Sequence, residues 1–153
     1  MQTARILCFI SISLFSGELP DREKLTVAYA LDYWIKKGFP AGKIALGLAT
    51  YGRAFRLKDA SNHGLGAPKA EWSNPRRGPY TREPGFLAYY EICNYGYTIV
   101  EDNKAMAPYG YKDTDWVGFE NQKSLIYKVK TLIKGKNILM IIQIVVRHHA
   151  RFH

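Results

Sequence analysis

Near the centre of the chain stands Lys43-Ile-Ala-Leu-Gly-Leu-Ala-Thr-Tyr51, a nearly continuous apolar run. Such a run is typical of a β-strand that is buried on both faces. The segment before it, residues 23–37, carries apolar side chains at three- and four-residue spacing, which predicts an amphipathic helix. Gly38 and Pro40 then end that helix. A helix, a short loop and a buried strand form one unit of an α/β architecture.

The pattern changes after Arg53. Phe55 and Leu57 alternate with basic residues, as in a half-buried strand, and residues 58–81 are rich in Gly, Pro, Asn and Ser, as in a loop. A short helix is predicted over residues 86–92. Short antiparallel strands are predicted after it, at Tyr97–Glu101, Met106–Tyr111 and Trp116–Phe119. This part of the chain therefore has an α+β composition.

Apolar segments also mark both ends of the chain. Leu125, Val129 and Leu132 predict a second amphipathic helix, which begins near Asn121. At the other end, Ile6 to Phe15 form a mostly apolar stretch behind Arg5, with the length and polarity of a secretory signal, although a fortuitous apolar run is the alternative. The stretch is too short to span a bilayer. A secreted location is therefore expected, without a membrane anchor.

The charge of the chain is strongly positive, with 22 Lys and Arg against 13 Asp and Glu, a net +9. Because the basic residues occur as scattered pairs, they predict a generally basic surface rather than a nucleic-acid groove, which stays a distant alternative. The two cysteines fit neither a disulfide-rich scaffold nor a zinc site. His149 and His153 would share one face of a helical tail but lack a third ligand. No metal and no cofactor are predicted.

Five ordered blocks of the sequence resemble the family 18 chitinases and chitinase-like proteins. The resemblance extends over roughly residues 25–134, and several blocks in one order are far more specific than a single motif. The blocks are Tyr29-Ala-Leu-Asp-Tyr-Trp-Ile-Lys-Lys-Gly-Phe-Pro40, Lys43-Ile-Ala-Leu-Gly-Leu-Ala-Thr-Tyr-Gly-Arg-Ala-Phe55, Gly66-Ala-Pro68, Gly78-Pro-Tyr-Thr-Arg-Glu-Pro-Gly-Phe-Leu-Ala-Tyr-Tyr-Glu-Ile-Cys93 and Trp116-Val-Gly-Phe-Glu-Asn-Gln-Lys-Ser124.

This resemblance implies an α/β fold: part of a (β/α)8 TIM barrel, interrupted by a small α+β insertion domain. It implies a signal-like or non-family segment at residues 1–20, a barrel helix and the seventh barrel strand at 21–53, the insertion domain at 54–115, and the last barrel helix with a divergent tail at 116–153. Ligands of such barrels bind at the carboxyl ends of the strands. The site is therefore expected beside the end of the Lys43–Tyr51 strand.

The resemblance also assigns substrate-binding residues. Tyr51, Arg53 and Glu83 match family positions that line the cleft around a chitin oligosaccharide. A sugar ring needs aromatic surfaces and a few fixed donors and acceptors, and a phenol, a guanidinium and a carboxylate supply them. The alternative is that Arg53 and Glu83 form an ion pair that holds the insertion domain against the barrel.

The family's catalytic motif is missing from the sequence. Family members cleave β-1,4 bonds between N-acetylglucosamine units with a glutamic acid at the end of a D-x-x-D-x-D-x-E strand, and none of the 13 acidic residues has that spacing. The C-terminal run from Ile138 to Val146 also has isoleucine where the family has a tryptophan below the cleft. The chain is thus expected to be a fragment of a secreted chitinase, which binds chitin but cannot cleave it alone, whereas the intact parent would hydrolyse β-1,4 bonds in chitin. A fragment of a non-catalytic chitinase-like lectin is the alternative.

Several smaller expectations follow. Trp34 and Trp116 occupy apolar-pattern positions and are predicted core residues, whereas Trp72 is expected to pack against its own loop, with stacking on a sugar as the alternative. One of the adjacent Tyr89 and Tyr90 is expected to pack and the other to face solvent. Since the resemblance places the disulfide partner of Cys93 beyond the last strand, where this sequence diverges, a free and partly buried thiol is expected. The Lys43–Tyr51 strand is expected to have an open edge, which would promote self-association.

Overall fold

The computed structural model describes residues 5–7, 26–71 and 74–143, which form two β-sheets with helices packed against them. The elements in chain order are β1 (Arg5–Leu7), α1 (Val27–Lys36), a 3-10 turn (Ala41–Lys43), β2 (Ile44–Ala49), β3 (Tyr51–Arg56), β4 (Phe86–Ala88), α2 (Tyr89–Asn94), β5 (Thr98–Asp102), β6 (Ala107–Lys112), β7 (Asp115–Gly118), α3 (Gln122–Lys128), a π-helical segment (Val129–Lys134) and β8 (Leu139–Gln143).

The first sheet is parallel, with the strand order β1-β2-β8. Every residue of β2 from Ile44 to Leu48 is buried, as the apolar run predicts for a strand covered on both faces. The open edge expected for this strand is not observed, because β1 and β8 occupy both of its edges. The predicted signal-like segment contributes Arg5–Leu7 to this sheet, and its remainder lies outside the described residues.

Helix α1 covers the parallel sheet. Thr26 caps it, since its side-chain oxygen accepts a hydrogen bond from the N–H of Tyr29 at 3.2 Å. Leu31 is fully buried in the core, and Trp34 packs against that core as predicted. The buried residues of this core are Val27, Leu31, Ile44, Leu46, Leu48, Leu132 and Ile138.

The second sheet is antiparallel, with the strand order β4-β3-β7-β6-β5. Its core lies between the sheet and α2, and includes Ala54, Leu87, Ile92 and Val117. Gly52 permits this packing, because a Cβ there would lie 2.7 Å from Val117 Cγ2 and 2.8 Å from Ile92 Cδ1. The three predicted strands after α2 are confirmed to within a residue or so at each end.

Two local predictions are corrected by this sheet. Tyr51 is the first residue of β3 and does not belong to the strand that begins at Lys43, because the chain turns into the second sheet at Thr50. Phe86 is in a strand and not in a helix, because its backbone pairs with Arg53 of β3. The antiparallel sheet takes in the chain from Tyr51 of β3 to Gly118 of β7.

The predictions for surface aromatic residues succeed only in part. Tyr89 and Tyr90 are both exposed, at 40% and 47%, because α2 turns Glu91 and Ile92 to the interior instead. Trp116 is half-buried rather than in the core, since its partner across the strands, Phe55, is itself exposed.

Candidate functional site

The site lies where the chain leaves the parallel sheet. β2 ends at Ala49, and after Thr50 alone the chain enters β3. Because side chains alternate along a strand, Tyr51, Arg53 and Phe55 share one face of β3, opposite the face that packs against α2. The parallel strand therefore ends beside a row of aromatic and basic side chains.

Phe86 joins this row from the neighbouring strand β4. It lies directly opposite Arg53 in the pairing register. Its ring stacks on Tyr51 with a centroid distance of 4.4 Å, and the Arg53 guanidinium lies 5.8 Å from its centre, a cation–π distance. The sequence did not single out Phe86, because its stretch resembled the start of a helix.

The three predicted site residues differ in their exposure. Tyr51 is only 4% exposed, Arg53 is half-buried and Glu83 is exposed. Glu83 lies in the turn before β4, where its carbonyl accepts a hydrogen bond from the N–H of Phe86 at 3.3 Å. Among the described residues, Arg53 and Glu83 form no ion pair, so the ion pair offered as the alternative is not observed.

A buried carboxylate organises the loop that carries Glu83. Glu91, 1% exposed, accepts hydrogen bonds from the N–H groups of Tyr80 (2.7 Å), Thr81 (3.0 Å) and Ala88 (2.8 Å), and from the Thr81 hydroxyl (2.9 Å). Burial raises the pKa of Glu91, but these donors together lower it further, so that its pKa lies below the ordinary value. The carboxylate therefore remains ionised and fixes both ends of the loop.

Gly78 makes room for this carboxylate. A Cβ at that position would lie 2.2 Å from Glu91 Oε1, well inside van der Waals contact. This arrangement could not be predicted from the sequence, since glutamate in a short helix is ordinarily exposed.

A second buried carboxylate stands at the end of β7. Glu120 pairs with Lys128 of α3 and accepts a hydrogen bond from the Ser124 hydroxyl at 2.6 Å. Burial raises the pKa of Glu120 and lowers that of Lys128. A raised pKa is a property of general acids, but this carboxyl group is enclosed and satisfied by two partners. Glu120 therefore joins the end of β7 to α3 and has a structural role.

The described part of the chain offers no metal centre: no group of three His, Cys, Asp or Glu side chains there could hold an ion. Cys93 has a free thiol, as expected, but it is exposed rather than partly buried. No helix among the described residues is long and apolar enough to cross a membrane. Trp72, His149 and His153 lie outside the described residues.

Comparison with known proteins identifies the family of this chain. A family model described as glycosyl hydrolases family 18 matches residues 11–141. The chain belongs to this family. It is 43% identical over 117 residues to human oviduct-specific glycoprotein, covering 75% of this chain and 16% of the relative. It is 40% identical over 117 residues to mouse chitotriosidase-1, covering 76% of this chain and 24% of the relative.

The solved structures of this family give the same result. Human YKL-39, a pseudo-chitinase with retained chitooligosaccharide binding properties, matches with a TM-score of 0.77 at 36% identity. The match covers 85% of this chain and 36% of the YKL-39 chain. The family 18 chain thus has a partial α/β fold related to the TIM barrel, and it spans about a quarter or less of the two curated relatives described above.

Proposed function

We propose that this family 18 chain binds oligosaccharides of N-acetylglucosamine, the units of chitin, as one wall of a cleft. The observation that carries the proposal is the row at the end of β2, in which the Arg53 guanidinium lies over the Phe86 ring and the exposed Glu83 follows in the adjoining turn. It supplies an aromatic surface, a donor and an acceptor, which a sugar ring with an acetamide group requires. YKL-39, a structural relative, retains chitooligosaccharide binding.

In this proposal the three site residues have different roles. Arg53 and Glu83 contact the sugar. Tyr51, being buried, supports the Phe86 ring on which it stacks, and its phenol is not required as a donor. Tyr51→Phe should therefore bind as well as the parent, whereas Tyr51→Ala should bind more weakly.

The proposal includes a domain division and a location. Residues 21–53 and 116–153 belong to a TIM barrel, residues 54–115 form the α+β insertion domain that builds the wall of the cleft, and the signal-like segment lies in residues 1–20, of which residues 11–20 fall within the family match. The protein is secreted. The row on β3 stands at the carboxyl end of β2, which is where barrels of this kind bind ligands.

Binding is tested by titrating the chain with N-acetylglucosamine tetrasaccharide and following backbone amide shifts. Arg53→Ala and Glu83→Gln should each weaken binding by about tenfold, a loss typical of one hydrogen bond to a charged group. Lys36→Ala, which removes an exposed charge from α1, is the matched control. Equal affinities for the parent and for a folded Arg53→Ala, Glu83→Gln double variant would refute the assignment.

Hydrolysis is not part of the proposal for this chain, because its sequence lacks the D-x-x-D-x-D-x-E motif. We expect no turnover of fluorogenic chitobiose or chitotriose substrates from acidic to neutral pH. Preparations from a host without chitinases exclude contaminating activity, and turnover that co-purifies with the chain would contradict the proposal.

The basic charge of the chain calls for a separate control. Non-specific binding to DNA weakens steeply as salt rises, whereas contacts with an uncharged sugar depend little on salt. Pull-down on chitin and on DNA resins at two salt concentrations should show retention on chitin at both. Retention on DNA alone would favour the nucleic-acid alternative.

A further inference from the structure

A cavity opens between the end of β3, β7 and the loop that follows β3. Its volume is about 400 Å³, within the range of small-molecule sites. Neither Arg53 nor Glu83, the two residues proposed to contact a sugar, is among the residues that line it. The lining residues that carry the argument are Phe55, Leu57, Pro68, Lys69 and Trp116.

The side chains that form its walls project from one face of the sheet. Phe55 and Leu57 are two residues apart along an extended chain, so they lie on the same side. Trp116 lies directly opposite Phe55, with ring centroids 5.7 Å apart, and Lys69 lies opposite Leu57 in an isolated antiparallel bridge. Because residues opposite one another in an antiparallel pair share a face, one basic side chain joins three apolar ones there.

The aromatic wall of the cavity is fixed in place. The indole N–H of Trp116 donates a hydrogen bond to the carbonyl of His63 at 3.2 Å, and the indole stacks on Tyr109 at 5.4 Å. Phe55 is 43% exposed beside it. The indole is thus held in one orientation, while a large part of the phenyl ring remains accessible to a ligand.

The opposite wall is attached to the chain at the end of β3. The N–H of Lys58 donates to the carbonyl of Pro68 at 2.9 Å, and the N–H of Ala70 donates to the carbonyl of Arg56 at 2.8 Å. Lys69, between these two bonds, is exposed, and its ammonium group has no hydrogen-bond or ion-pair partner among the described residues. A cation is therefore available beside a cavity whose walls are already ordered.

The chemistry of the lining restricts the ligand. Among the described lining residues, Lys69 alone has a charged side chain, and the indole N–H of Trp116 is already bonded to a carbonyl. A sugar ring, with hydroxyls around its whole rim, would find few partners among these side chains. A phosphate group needs several donors, whereas one ammonium group is offered here. An apolar body that ends in a single carboxylate satisfies both the walls and the cation.

We propose that this cavity binds a small amphipathic carboxylate, with its apolar body against Phe55 and Trp116 and its carboxylate on Lys69. The inference is independent of the proposed function. Burial against the two rings supplies most of the affinity, and the ammonium group sets the orientation of the ligand. The net charge of +9 adds a long-range attraction for anions.

The probe that tests this inference is phenylbutyrate. Its neutral comparison is phenylbutanol, which has the same apolar body and a hydroxyl in place of the carboxylate. Titrations followed by backbone amide shifts should give phenylbutyrate a dissociation constant on the order of 1 mM, as expected for so small a ligand. Phenylbutanol should bind about threefold more weakly, the difference made by one exposed ion pair. The indole N–H resonance of Trp116 should shift with both probes.

Two sets of variants separate the roles of the walls and the cation. Lys69→Met should abolish the preference for the carboxylate and leave phenylbutanol binding unchanged, whereas Lys69→Arg should retain the preference. Lys58→Met removes the same charge from an exposed lysine that does not line the cavity, and is the matched control. Phe55→Ala should weaken the binding of both probes by about threefold to tenfold, the loss expected for one aromatic contact.

The results that would overturn the inference are distinct. The absence of saturable shifts with phenylbutyrate at roughly ten times the expected dissociation constant would show that the cavity does not take this ligand. Equal affinities for the two probes would refute recognition of the carboxylate. An equal loss of preference in Lys58→Met and Lys69→Met would show that the anion responds only to the charge of the chain. Unchanged binding in Phe55→Ala would place the ligand elsewhere.

Discussion

The two sheets of this chain are stabilised in different ways. The parallel sheet and α1 enclose a core made of aliphatic side chains, with β2 buried from Ile44 to Leu48. The antiparallel sheet has a smaller apolar core, and it buries the carboxylates of Glu91 and Asp115. Apolar contacts are non-directional, whereas a carboxylate that accepts several hydrogen bonds fixes the atoms around it. The loops beside the candidate site are attached to the second kind of structure.

Asp115 acts at the other side of the antiparallel sheet through one hydrogen bond and one ion pair. It accepts a hydrogen bond from Arg76 at 2.5 Å, and Arg56 lies 3.7 Å away. This hydrogen bond raises the pKa of Arg76, whose guanidinium also lies 4.7 Å from the centre of the Tyr95 ring. The loop between β3 and β4 is thus held by buried acids on both sides. We infer that loop geometry in this chain depends on a few polar groups, while the parallel sheet tolerates many apolar exchanges.

The largest effect is expected where β7 meets α3. Lys128→Met leaves the buried Glu120 carboxylate without its cation and should lower the free energy of unfolding by about 3–5 kcal/mol. Replacing both partners, as Glu120→Gln with Lys128→Met, should recover much of that loss, because no buried charge remains. Urea unfolding followed by tryptophan fluorescence measures both variants. A single variant as stable as the parent would show that the pair does not join β7 to α3.

The next largest effect should be confined to the antiparallel sheet. Glu91→Gln replaces one acceptor oxygen with a donor that faces backbone N–H groups, and should cost about 1–3 kcal/mol. Hydrogen exchange should accelerate at the amides of Tyr80, Thr81 and Ala88. Amides of β2 should remain protected, and uniform acceleration across both sheets would contradict the distinction between them.

Acid should lower the stability of the antiparallel sheet by protonating Glu91. Because the pKa of Glu91 is lowered in the folded state, its contribution to stability is present above the unfolded-state pKa and is lost as pH falls through the lowered folded-state value. The loss should be smaller than that of Glu91→Gln, since acid returns a proton without changing the shape of the side chain. Unfolding curves measured down that pH range test this, and Glu91→Gln should show a flatter dependence there.

The smallest effect on stability is expected at the apolar groove between β8 and α3. This groove, of about 320 Å³, is lined by Leu48, Leu125, Val129 and Met140 among others, and Ile126 on its rim is 46% exposed. Ile126→Glu should change the free energy of unfolding by less than about 0.5 kcal/mol, as for most surface substitutions. It should reduce association of the chain through this apolar groove, as measured by light scattering after size exclusion. An unchanged mass distribution would place the association elsewhere.

The parts of the fold that sequence predicts well are those with local patterns. The apolar run of β2 and the periodicity of α1 each identify an element without knowledge of its neighbours. The same holds for the short strands β5 to β7. Local pattern is sufficient there because the residues that define each element are adjacent in the chain.

The parts that escaped prediction depend on distant partners. Phe86 pairs with Arg53, more than thirty residues earlier, and nothing near it in the sequence indicates a strand. Glu91 is buried because donors ten or so residues upstream surround it. For the candidate site, the closeness of Tyr51 and Arg53 follows from strand alternation, but the contribution of Phe86 required the pairing of β3 with β4.

The passage from β2 to β3 has a mechanical consequence. Only Thr50 separates the two strands, and its carbonyl accepts a hydrogen bond from the N–H of Tyr89 at 3.1 Å. Because a single residue connects the two strands, a twist or shift of β2 would move β3 with it. The direction in which Arg53 points is therefore set by the register of a strand in the other sheet, and a glycine-rich insertion at Thr50 would uncouple the two.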